Sequence, residues 1–136
     1  MRTQYSIALL VFLLASLALL PVANATHIRA GDLTAERIST GSALTYRFTV
    51  MLYRDVEGVP AQPGTFEFGY ESADPVLVEP ESMGFTDDGH TEILRYRIVH
   101  TFPSAGTYRV SYFEQNRNPG VRNMFASGNS AFYIES

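Results

Sequence analysis

Cysteine is absent from this sequence, and so is lysine. Without cysteine there is no disulfide, no thiolate metal site, no cysteine nucleophile and no lipid-modified N-terminal cysteine. A domain without cross-links must hold itself by its core. That suits a periplasm or bacterial cell surface better than the disulfide-rich eukaryotic exterior. All ten basic residues are arginine, which we read as genome composition rather than function. They form no basic run, and they face 14 acidic residues for a formal net charge of −4. That balance argues against nucleic acid and anionic membranes as partners. No Gly-x-Ser-x-Gly elbow occurs, and no serine sits in a recognisable setting with histidine and aspartate. Nothing in the acidic spacing suggests the paired carboxylates of a glycosidase. No catalytic residue is expected, and the chain reads as a non-enzyme.

What the chain does have begins with its N-terminus. Arg2 is the one charge before an apolar run from Ile7 to Leu20, followed by Pro21 and Ala23-Asn24-Ala25. Those are the three regions of a secretory signal peptide. The run is shorter than the roughly 20 residues a membrane-spanning helix needs. Cleavage is expected after Ala25, leaving residues 26–136 as one domain with no membrane span. The mature product would then be exported to the cell surface, the extracellular space or the periplasm.

Beyond that point hydrophobic residues alternate almost everywhere, and no 3.6-residue period, repeat or linker stands out. Over Ala43–Asp55, Leu44, Tyr46, Phe48, Val50 and Leu52 share one face. Thr65–Glu71 turns Phe66, Phe68 and Tyr70 one way; Thr91–Phe102 does the same with Leu94, Tyr96, Ile98 and Phe102. Thr107–Glu114 turns Tyr108, Val110 and Tyr112 inward, and Ala131–Glu135 is a short last strand. A weaker first strand over Ile28–Ile38 is expected to bend at Gly31. Turn residues separate these runs. Asp87-Asp88-Gly89 is a hairpin signal with Gly89 suited to positive φ. Six or seven such strands predict an all-β, two-sheet sandwich.

Candidate sites are few. His90 and His100 lie about 33 Å apart on one unbroken strand and cannot share a metal. His100 has inward parity and reads as a hydrogen-bonded residue at the core's edge. His27 could chelate a metal with a new terminal amine, as any such chain end can. No cofactor is called for. Calcium is a weak candidate at Asp55, Glu57, Asp87 and Asp88, whose spacing matches no defined calcium loop. Tyr53, Phe113 and Tyr133 fall on the outward parity and are candidates for one aromatic contact patch. The stretch from Glu114 to Ser130 exceeds a normal hairpin loop. Its Asn116, Arg117, Asn118, Arg122 and Asn123 either cap the sandwich end or form a binding loop. In the capping reading, Arg117 bridges backbone carbonyls and Arg122 is exposed. The expected partner is a protein or a cell-surface glycan.

Two resemblances follow from particular residues. Tyr96 to Val110, with His100-Thr101-Phe102 and then Gly106-Thr107-Tyr108-Arg109-Val110, resembles the closing strands of PKD-type immunoglobulin-like domains. Over nearly the whole chain after Ala25, Thr26-His27-Ile28-Arg29-Ala30-Gly31-Asp32-Leu33-Thr34, Val50 to Asp55, Asn116 to Asn123 and Phe132-Tyr133-Ile134-Glu135 occur in one order. That order resembles the N-terminal domain of the gliding-motility-associated, type IX-secreted surface proteins of Bacteroidetes. Members often carry cysteine after Tyr-Arg-Asp, where this chain has Val56. The resemblance implies an immunoglobulin-like or PKD-like extracellular module of unassigned biochemistry, not an activity. The expected function is a non-catalytic surface or periplasmic structural or interaction module, and the alternative is a carbohydrate-binding sandwich with a structural calcium.

Overall fold

The computed structural model describes residues 28–71, 73–115, 117, 121–122 and 124–136. The expected signal peptide, His27, Asn116, Asn118 and Asn123 lie outside the described residues. The described chain forms β1 (Ile28–Arg37), β2 (Thr45–Asp55), β3 (Gly64–Glu67), β4 (Val76–Val78), β5 (Glu81–Phe85), β6 (Thr91–Thr101), β7 (Ser111–Glu114) and β8 (Phe132–Glu135). Two four-stranded antiparallel sheets result, ordered β1-β2-β6-β5 and β4-β3-β7-β8. The two-sheet sandwich is therefore as expected. β4 and the extent of β5 were not legible, because their residues are mostly exposed and carry little alternation.

The backbone of the first sheet is the β2–β6 ladder, eleven consecutive pairs from Thr45↔Thr101 to Asp55↔Thr91. Alternation on both strands sends Phe48, Val50, Leu52, Leu94 and Tyr96 inward, where each is almost fully buried. They meet Phe66, Tyr112 and Phe132 from the second sheet. β1 departs from register between Ile28 and Ala30. The irregularity thus lies before Gly31 rather than at it. Gly31 is flat strand, with its Cα side packed against Leu52 and the Phe132 ring, leaving no room for a side chain.

One end of the sandwich is aromatic. Phe102 stacks on Tyr108 with centroids 4.1 Å apart, and Phe68 stacks on His100 at 3.7 Å. The His100 ring is hydrogen-bonded through Nε2 to the Tyr70 hydroxyl at 2.8 Å, and burial holds its pKa below the ordinary value. This is the structural role its parity suggests. Tyr108 ties the turn between β6 and β7 by donating its hydroxyl to the Ser104 carbonyl at 2.8 Å.

Two glycines of equal φ separate conformational from steric need. Gly89 turns the β5–β6 hairpin at φ 70° and opens to solvent, while Gly69 also has φ 70° but lies against the Arg109 carbonyl. Gly89→Ala should cost about 1 kcal/mol, the left-handed penalty alone. Gly69→Ala should cost about 2–4 kcal/mol, because the methyl also strikes backbone. Urea midpoints of the two variants check this; equal losses would show that Arg109 moves aside freely.

Candidate functional site

The inward rows do not end in apolar residues. On β2 the row Phe48, Val50, Leu52 continues to Arg54; on β6 Tyr96 and Leu94 lead back to Glu92; Val110, just before β7, and Tyr112 on it lead to Glu114. The register sets Arg54 opposite Glu92. Arg54 donates to Glu92 Oε2 through Nε at 3.0 Å and through Nη2 more closely. Its Nη1 reaches the carbonyls of Asp55 (3.2 Å), Gly58 (3.1 Å) and Val59 (2.8 Å). One planar guanidinium thereby holds the loop between β2 and β3 to the sheet. Burial alone would raise the Glu92 pKa, but its hydrogen bonds from Arg54 and Ser82 and the charge of Arg54 hold it below the ordinary value.

Glu114 is in a different position. It is 3% exposed, and both carboxylate oxygens and the neighbouring Tyr112 hydroxyl are buried without an ordinary hydrogen bond among the described residues. Burial pushes its pKa up to about 7, against the opposing pull of the Gln62 backbone, Tyr112, Arg54 and Tyr96. Tyr96 donates its hydroxyl to the Gln62 carbonyl at 3.0 Å. Gly64 lies directly over the Tyr112 ring and hydroxyl, so a side chain there would collide with it. The carboxylate oxygens are closed to solvent, which leaves this acid to govern stability rather than to meet a substrate. Sequence reasoning missed Arg54, Glu92 and Glu114, although continuing the same alternation by one more step places each of them inward.

The aromatic candidates separate. Phe113 and Tyr133 are directly paired on β7 and β8 and face outward, 38% and 48% exposed. Tyr53 faces outward from the other sheet, between Ala30 and Ile93. The three therefore do not form one patch. Parity tells which face of a sheet a residue takes, not which sheet it belongs to. The partner of Phe113 and Tyr133 is instead Leu77 on β4, 70% exposed, reached across Thr65. Beside this row a groove of about 260 Å³ is lined by Gln62, Pro63, Thr65, Leu77, Phe113, Glu114 and Gln115. The outer face of the first sheet differs, for Glu36–Arg47 and Glu81–Arg95 form cross-strand ion pairs there.

Two of the four acidic candidates, Asp55 and Asp88, are engaged by the protein itself. Asp55 Oδ2 pairs with Arg29, and Oδ1 accepts the Glu57 amide at 3.2 Å. Asp88 Oδ1 accepts the Thr86 hydroxyl (2.6 Å) and the His90 amide (3.0 Å), which hold its pKa down. Asp87 and Glu57 are exposed. Among the described residues no three His, Asp or Glu side chains converge as a metal-binding set.

In the long loop after β7, Arg117 does not bridge carbonyls among the described residues. It donates to Met124 Sδ at 2.7 Å and sits over the Phe132 ring, 5.4 Å from its centroid. Its backbone makes an isolated parallel bridge with Ile28. Among the described residues its side chain makes these cation–π and sulfur contacts where the loop folds back on the core edge. Arg122 is exposed as expected. The buried Ser127 hydroxyl accepts the Val121 amide at 3.1 Å and closes the loop's far side. No family model, no curated protein and no solved structure matches the chain.

Two predictions follow from this end of the molecule. Native Glu114 keeps its proton up to about pH 7, whereas the unfolded residue releases it near 4.5. Between those values the native state binds more protons, so stability falls as pH rises, by about 3 kcal/mol once both states are ionised. Denaturation from pH 5 to 8 should show this slope, and Glu114→Gln should flatten it; a parallel profile for the variant rejects the assignment. Arg117→Ala should cost about 1–2 kcal/mol through lost ring contact and stem packing. Arg122→Ala should stay within about 0.5 kcal/mol, as read from the same midpoints.

Proposed function

We propose that the protein is a non-catalytic extracytoplasmic module of immunoglobulin-like type, exported after removal of Met1–Ala25, and that it works by contact. Its contact surface is the outer face of the β4-β3-β7-β8 sheet. One observation carries the reading. Leu77, Phe113 and Tyr133 form an exposed apolar row across that face, aligned through Thr65 by the strand register. Exposed apolar rows rimmed by polar groups mark interaction sites.

The strand order supports the immunoglobulin-like assignment. Labelling β1, β2, β3, β5, β6, β7 and β8 as A, B, C, D, E, F and G reproduces an ABED sheet facing a CFG sheet, with β4 added beside C. Tyr108 supplies the corner hydrogen bond typical of the E–F turn. The resemblance to Bacteroidetes gliding-motility-associated surface domains points the same way, toward a protein partner at the cell surface. A second reading, a glycan ligand, draws on Phe113 and Tyr133, two outward aromatic residues paired across β7 and β8. Calcium belongs to that reading and is tested by thermal shift with chelator controls.

Labelled protein should bind intact cells of the exporting host saturably. Phe113→Ser/Tyr133→Ser should abolish binding while the protein stays folded, at a cost of about 1–2 kcal/mol for the two half-covered rings of one cross-strand pair. Loss of binding after protease treatment of the cells supports the protein partner, and loss after glycosidase treatment supports the glycan. Undiminished binding by the double variant rejects this face.

A further inference from the structure

The polar end of the sandwich holds one proton with two claimants. Tyr96 donates its single hydroxyl proton to the Gln62 carbonyl at 3.0 Å. The Glu114 carboxylate beside it is buried without an ordinary hydrogen bond among the described residues, and the same hydroxyl pulls it toward its charged form. The Tyr112 hydroxyl is equally unpartnered there, its ring 5.1 Å from the Tyr96 ring. Burial raises the pKa of both phenols far above the ordinary value, so neither gives up its proton near neutrality. From β2, Arg54 is already engaged by Glu92 of β6 and by loop carbonyls. From β1, Arg29 pairs with Asp55. Arg117 sits over Phe132, the β8 residue opposite Glu114, and Glu79 between β4 and β5 raises the Tyr96 pKa further.

The Gln62 end of this network leads to the surface. Pro63 follows Gln62, and Gly64, the first residue of β3, lies over the Tyr112 ring and hydroxyl. Thr65 comes next, the residue that joins Leu77 and Phe113 in the exposed row. Gln62, Pro63 and Thr65 also wall the groove of about 260 Å³ beside that row.

We infer that Glu114 is a proton-operated switch of the contact face, which passes the Tyr96 hydroxyl bond between Gln62 and itself. Neutral Glu114 leaves Gln62 tied to Tyr96 and the groove wall in place. Ionised Glu114 takes the hydroxyl, because such a bond to a carboxylate is roughly twice as strong as one to a carbonyl. The Gln62 amide, which also pulls toward the charged form, is drawn inward as its carbonyl is released. Gln62–Thr65 shifts, and the wall beside the row shifts with it. The role presupposes that face as the contact surface and adds the condition under which it is formed. The partner docks on the tied form, whose wall needs no ordering on binding. Contact is therefore tight in mildly acid surroundings and weakens through neutrality, since burial pushes the Glu114 pKa up to about 7. With that midpoint the neutral share falls about tenfold from pH 6 to pH 8, and the affinity falls with it.

The purified protein is titrated from pH 5 to 8 and followed by NMR, and its binding to cells of the exporting host is measured at pH 6 and pH 8. The Glu114 carboxyl carbon, the Tyr96 ring and the Gly64 and Thr65 amides should move with one midpoint, and cell binding should weaken about tenfold. Glu114→Gln should lose the ring and amide transitions and the pH dependence of binding together. Tyr96→Phe keeps the ring but lacks the tie at every pH, and should bind at pH 6 as weakly as wild type does at pH 8. Gly64 and Thr65 amides that stay still while Glu114 titrates overturn the switch. So does a pH dependence of binding that Glu114→Gln retains, which would assign the titrating group to the partner. Failure of the contact face reads differently: Phe113→Ser/Tyr133→Ser then binds like wild type while the amide transition persists, and that result overturns the regulatory role alone.

Discussion

Everything in this protein depends on the layer of aromatic and branched side chains pressed between the β2–β6 ladder and the β3–β7 pair. No cross-link assists it, because the chain has no cysteine. Phe48, Tyr96, Phe66, Phe68 and Tyr112 are buried nearly completely. Several of these rings meet edge to face, the arrangement their charge distribution favours. Burial on this scale holds the two sheets, and the sheets in turn hold the loops and outer faces that are free to vary.

That layer is bounded by two unlike ends. At one, aromatic rings and the His100–Tyr70 hydrogen bond close the core while leaving a groove toward β1. At the other, Arg54 is fully engaged by Glu92 and three carbonyls, whereas Glu114 is buried without such support. A paired buried charge costs little once formed, and an unpaired one shifts toward its neutral form. The polar end therefore combines a clamp with a titrating group in one inter-sheet space.

The outer faces divide labour in the same way. Cross-strand Arg–Glu pairs lie on the first sheet's face beside the exposed Val99. The second sheet carries Leu77, Phe113 and Tyr133 in the open. The proposed contact role rests on that row.

Local alternation by itself determined most of the strands, the side of each strand that turns inward, and the Gly89 hairpin. It did so because strand pleating has a period of two and the core tolerates no polar surplus. The inward places of Arg54, Glu92 and Glu114 were equally determined, though the reading stopped one step short of them. Tertiary structure alone decided which residues share a sheet. Tyr53 has the same outward parity as Phe113 and Tyr133 but lies on the opposite sheet, since strand order is set by long-range pairing and leaves no local mark. It also decided that Arg117 rests on the Phe132 ring and that Asp55 answers Arg29. Those partners are remote in sequence: pairing of β1 with β2 sets Arg29 beside Asp55, and the loop between β7 and β8 folds Arg117 back over Phe132.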